Sequence, residues 1–234
     1  MKLPDKLSEW LGADWPSPPG SSPAQLLWSK SSAEVAAADW SVSIGQTRVI
    51  RTIAVLRRFK VALIAEQVEQ GHGEWSISFP LPAGSVARKI HEKPSILVER
   101  EGALGFGQIL PLSLECRDDA GCLDRFDVRS GNLTMTRTLQ GGVSYSAILI
   151  AWGRPRSTSP ATWTPLTVTE QARECPGTRA FAVRASWGKD QFVVYRSLAE
   201  PTLRAFLGHQ TSAKFLMGRF TPTGTVQPII LQNA

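Results

Sequence analysis

Hydrophobic and polar residues alternate along most of this chain with the period of two that a half-buried strand requires. The alternation begins near residue 41. Val42 and Ile44, then Val49, Ile53, Val55 and Phe59, interleave with Arg48, Arg51, Arg57 and Arg58. A tight connection at residues 57–60 leads to VALIAEQV, an apolar run of the kind that lies inside a sheet. Gln70-Gly71-His72-Gly73 is a turn, and after it Trp75, Ile77 and Phe79 share one face until Pro80 and Pro82 end the strand. Further strands are predicted over residues 86–91, 95–100, 106–116, 131–139 and 143–152. Beyond residue 162 the pattern resumes. Phe181, Val183, Ala185 and Trp187 face one way and Arg184 the other, and Gly188-Lys189 suits a type II′ hairpin turn. Phe192 and Val194 then oppose Val193 and Tyr195, and a last hairpin turns at residues 221–224.

This spacing predicts twelve to fourteen short strands and no helix beyond three turns. The fold class that follows is all-β, a large antiparallel β-sandwich resembling a supersandwich. Residues 1–39 read as an irregular arm: the prolines between 16 and 23 interrupt regular structure, and residues 33–39 offer two helical turns at most. Residues 40–234 read as one sandwich domain, with residues 153–162 a long loop within it.

Charge sharpens the picture. The 234 residues carry a formal +6, yet from Arg129 onward twelve bases face only Glu170, Glu174, Asp190 and Glu200. That half is +8, and residues 1–128 are −2. Arginine outnumbers lysine ten to two there, which favours planar oxyanion recognition over plain solvation. Of possible anionic partners, polysaccharide ranks above nucleic acid, because no RNA-platform or helix-turn-helix signature accompanies the arginines.

Other chemistry is sparse. Cys116 and Cys122 either close a small loop or stay free beside a turn, and no zinc spacing occurs, so neither metal nor cofactor is expected. GALGFG is no phosphate loop, since no helix pattern follows it. The N-terminus lacks the apolar stretch of a signal peptide and no segment has the length of a membrane span. The expectation is a cytosolic chain, unless an exported portion precedes it; oligomeric state is left open. Of three histidines, only His209 has suggestive company. Tyr195, His209 and nearby arginines are the residue types that elimination of a uronic-acid polymer needs: a base, an acid and a cation for the carboxylate. Tyr195 and His209 are therefore the catalytic candidates, and Arg184, Arg196, Arg204, Arg219 and Trp163 the ligand-binding ones. Trp163, like Trp10, Trp15, Trp28 and Trp40, falls in a loop-like segment, where an indole either pins the loop or stacks on a sugar ring.

Two stretches carry a family resemblance. Residues 48–84 (RVIRTIAVLRRFKVALIAEQVEQGHGEWSISFPLPAG) and 107–152 (GQILPLSLEC…GNLTMTRTLQGGVSYSAILIAW) resemble the C-terminal β-sandwich region of heparinase II/III-like proteins. The resemblance implies a sandwich associated with degradation of acidic polysaccharide. The chain lacks the long helical toroid of that family, and no family catalytic residue falls on a matching motif. The leading expectation is a non-catalytic module that binds anionic polysaccharide or accompanies its processing. The alternatives are a lyase using Tyr195 and His209, and a structural or protein-interaction sandwich without a ligand.

Overall fold

A computed structural model of the chain describes residues 21–81, 84–89, 95–100, 103–114, 124–129, 132–153 and 161–233. These residues form twenty strands and no helix, and every ladder is antiparallel. The all-β class is as the alternation predicts. The chain divides into two compact units, Met1–Thr158 and Ser159–Ala234, and the division falls within the 153–162 segment.

In the first unit eight strands make one sheet. In spatial order they are β1 (Gln25–Ser31), β2 (Val35–Ile44), β3 (Thr47–Leu56), β4 (Val61–Glu69), β11 (Val143–Trp152), β8 (Ala103–Pro111), β7 (Ile96–Arg100) and β6 (Ser85–Lys89). A second sheet of β5 (His72–Pro80), β10 (Asn132–Gln140) and β9 (Asp124–Arg129) packs on it. Ile53, Ile64, Ile109 and Ile148 of the large sheet meet Ile77, Leu133, Met135 and Phe126 of the small one. The VALIAEQV run is β4, buried between β3 and β11 as its continuous apolarity requires. The Gln70–Gly73 turn carries the chain from the large sheet to the small one, and Gly141-Gly142 brings it back. The two crossings lie side by side, with Gln70 N donating to Gly142 O at 2.8 Å and Gly141 N to Gly71 O at 3.0 Å.

In the second unit, a five-stranded sheet runs β12 (Ala161–Pro165), β15 (Ala180–Trp187), β16 (Asp190–Ser197), β19 (Phe215–Phe220), β20 (Val226–Gln232). A four-stranded sheet of shorter segments runs β14 (Arg173–Glu174), β13 (Thr169–Glu170), β17 (Arg204–Phe206), β18 (His209–Thr211). Between them Ala180, Ala182, Val193, Tyr195 and Leu216 pack with Val168, Cys175 and Phe206. The β15–β16 hairpin turns at Gly188 with φ +57°, the positive value that the first position of a type II′ turn demands.

Several local expectations change. Within residues 1–39, assigned to an irregular arm, residues 25–31 are β1 and residues 35–39 are the first half of β2. The segment expected to make two helical turns is strand because Ala36, Ala37 and Ala38 are sealed within the sheet at 0–1% exposure; packing of small side chains overrides the helix preference of alanine. Trp28, Trp40 and Trp163 lie in strands, not loops. Phe59 lies in the turn after β3, not in the strand. Residues 1–20, Cys116, Cys122, His91, Arg154 and Arg156 lie outside the described residues.

Candidate functional site

The β16 sequence DQFVVYRS places Tyr195 and Ser197 on the face turned to the four-stranded sheet and Arg196 on the opposite face. Across from Tyr195, β17 supplies Arg204 and Phe206, β18 supplies His209, and β13 supplies Glu170. The chain thus brings together three residues named from sequence, Tyr195, Arg204 and His209.

Arg204 is the centre of the cluster, and its side chain has no exposed area. Nε donates to Glu170 Oε2 at 2.9 Å, Nη1 to Tyr195 Oη at 3.3 Å and Ser197 Oγ at 2.5 Å, and Nη2 to the Glu200 carbonyl at 3.2 Å. Glu170 also accepts from Arg179 Nη2 at 3.2 Å, and the Cys175 thiol points at Glu170 Oε2 from 3.9 Å. Aromatic contacts extend the cluster outward. Tyr195 and Phe206 stack with centroids 5.4 Å apart, and Phe206 meets the His209 ring at 5.4 Å and 51°.

Electrostatics follow from these contacts. The Arg204 hydrogen bond, reinforced by the charges of Arg204 and Arg179, holds the Glu170 carboxyl below its ordinary range. Burial works against the Arg204 charge, yet hydrogen bonds to Tyr195 and Glu170 leave its pKa raised. Burial alone lowers the His209 imidazole, and burial raises the Cys175 thiol. Among the described residues, no group of three or more metal-ligating side chains occurs.

The arrangement clamps rather than exposes. Tyr195 has 0% exposure and Arg204 1%, so neither presents an atom to a polymer in this fold. Tyr195 and His209 meet through Phe206, not face to face. The remaining candidates separate. Arg196 is fully buried on the opposite face of β16, with Nη1 3.4 Å from Gln232 Oε1. Arg219 on β19 shares that face, donates to Asp190 Oδ1 at 2.8 Å and lies over the Phe192 ring. Arg184 on β15 is half-buried on the Tyr195 side. Trp163 on β12 is 6% exposed, packed rather than offered as a sugar platform.

Sequence reasoning passed over Glu170, Ser197 and Cys175. One signal for Glu170 was present: it is one of four acids in an arginine-rich half, where a carboxylate finds cations readily.

No family model and no curated protein matches the chain. Solved structures that resemble it include two polysaccharide-degrading enzymes. Heparinase III, the BT4657 gene product, superposes with a TM-score of 0.52 at 8% identity, over 75% of this chain and 28% of that one. Heparan sulfate lyase HepC from Pedobacter heparinus does so with a TM-score of 0.49 at 10% identity and the same coverage. The chain therefore corresponds to a segment, about 28% of the length of these proteins. At this identity the likeness is one of fold, and it agrees with the weak resemblance read from residues 48–152.

Proposed function

We propose that the chain is a non-catalytic β-sandwich module that binds anionic polysaccharide or accompanies its processing. The observation that carries this reading is the fold shared with a segment of heparinase III, a protein named for action on an acidic glycan. The arginine-rich second unit supports it: Arg173 and Arg179 are exposed, while Arg184 and Arg219 keep partial exposure.

A second reading, a lyase using Tyr195 and His209, draws on their meeting in one cluster with Arg204. It requires the Tyr195 hydroxyl to reach a bound sugar, and that hydroxyl accepts a hydrogen bond from Arg204 inside the core. The module reading is preferred for that reason.

A thermal-shift panel of heparan sulfate, alginate, a neutral glucan and duplex DNA, repeated at high salt, tests the module. Stabilisation by an acidic glycan above that by DNA supports it. Equal stabilisation by DNA reduces it to charge attraction, and no stabilisation by any anion leaves the structural or protein-interaction sandwich. Release of unsaturated uronate, read by its ultraviolet absorbance, would instead favour the lyase.

A further inference from the structure

The β3–β4 hairpin turns on Arg57-Arg58-Phe59-Lys60, three cations in four residues, within residues 1–128, which are −2. Each cation is held by a neutral neighbour. Arg57 Nη1 donates to the Ser32 carbonyl at 2.6 Å, and the Arg58 guanidinium lies 5.8 Å from the centre of the Phe59 ring. Lys60 runs along Gly153: a Cβ there would stand 3.1 Å from Lys60 Cδ and 3.4 Å from Nζ. Trp152 N donates to the Lys60 carbonyl at 3.1 Å, so the end of β11 lies against this turn. Arg58 and Lys60 are exposed, and Arg57 is half-buried.

No carboxylate neutralises the three cations among the described residues, since none of them makes an ion pair. The acid beside them is Glu34 in the β1–β2 turn. Its carbonyl accepts from Arg57 N at 2.8 Å, and its carboxylate pairs with none of the three. Counting the residues of both turns, three bases stand against one acid. Local folding does not account for this composition. Lys60 takes φ +52°, the left-handed conformation for which a turn favours glycine or asparagine. A lysine there costs backbone strain that asparagine would reduce, so the ammonium is not explained by the turn itself.

We propose that this turn binds the sulfate groups of a polysaccharide. The two guanidiniums offer planar sets of N–H donors to sulfate oxygens, and the Lys60 ammonium adds a third cation beside them. Carbonyl, ring and glycine contacts already place the three side chains, so binding costs little further ordering. Three cations in one turn span few sugars, and a glycan that engages all of them needs sulfate esters as well as carboxylates. A nucleic acid fits less well, because the Phe59 ring lies under Arg58 and offers a base no open face on that side. The site rests on the polysaccharide reading of the chain and gives that reading a place and a ligand charge.

Titration calorimetry of the intact chain with heparin, at low and at moderate salt, tests this. The double variant Arg58→Gln, Lys60→Asn removes two charges and supplies a residue suited to the turn, so its urea midpoint is expected not to fall. Its heparin affinity is expected to drop about tenfold at low salt. The control Arg88→Gln, Arg125→Gln removes two exposed cations that pair with Glu99 and Glu74, and a change of about twofold or less is expected. Equal losses in the two variants, or no loss in the first, overturn the site. Heparosan, which is unsulfated, binding as tightly as heparin overturns the sulfate assignment. Equal weakening of duplex DNA binding by the turn variant overturns the choice of a glycan. If heparin binds and the turn variant is unaffected, the site fails and the module reading stands. If no acidic glycan binds, the module reading fails and the site with it.

Discussion

All three guanidinium nitrogens of Arg204 have acceptors, and two of those acceptors, Tyr195 Oη and Ser197 Oγ, lie in buried residues. Removing the donor strands them, which costs more than the pair contributes while intact. Arg204→Gln is expected to destabilise the chain by about 3 kcal/mol, read as a lower urea midpoint with the slope unchanged. The sequence brought Tyr195, Arg204 and His209 to notice through their chemistry, and they do share one cluster. Their burial was less legible, although β16 carries a clue: VVY is apolar on both faces, as in a central strand covered on each side. A second residue tests a different cost. Leu207 takes φ +47° in the turn between β17 and β18 and is 54% exposed, so it holds a strained backbone without compensating burial. Leu207→Asn is expected to raise stability by about 0.5–1 kcal/mol, measured by the same denaturation.

At the level of elements, long strands with clear alternation were legible and short ones were not. β3, β4, β10, β11, β15, β16, β19 and β20 fall close to where the pattern sets them. The two- and three-residue ladders β14, β17 and β18 carry too few positions to show a period, and Phe206 of β17 is fixed by tertiary packing with Tyr195 and Leu216. The Val35–Asp39 half of β2 failed for another reason, since an alanine run has no period and its own preference is helical. Strand pairing also explains one glycine. Gly107 on β8 sits opposite Trp152 on β11, and a Cβ there would lie 2.6 Å from the Ala151 carbonyl oxygen, a backbone atom that cannot swing away. Gly107→Ala is expected to push β8 and β11 apart locally and to cost about 2 kcal/mol or more. Faster amide exchange along the β8–β11 ladder, with β15–β16 unaffected, is the measurement that checks it.

For the whole molecule, the charge asymmetry says less about ligand capacity than its size suggests. Of the arginines that make the second half +8, Arg196 and Arg204 are buried, and Arg179 and Arg219 pair with Glu170 and Asp190. Burial of His209 and Cys175 and the pairing of Glu170 make stability depend on pH in a definite direction. His209 has a lowered pKa in the fold, so as pH falls below its ordinary value of 6.5 the unfolded chain takes up the proton first. That contribution is present above 6.5 and is lost as pH falls through the folded value. Glu170, held down chiefly by Arg204, behaves alike in a lower window: its contribution is present above 4.5 and is lost as pH falls through its folded value. Cys175 has the opposite shift, so its contribution is complete below 9.0 and declines as pH rises through its raised value. The chain is therefore expected to be most stable between these limits and to lose stability on acidification in two stages. Below the second stage the twenty acidic groups discharge while twenty-six lysines and arginines stay charged, and self-repulsion adds to the loss. Urea unfolding from pH 8 to pH 3 checks the profile. His209→Gln should flatten its upper stage and leave the lower one; an unchanged upper stage would assign that titration to another histidine.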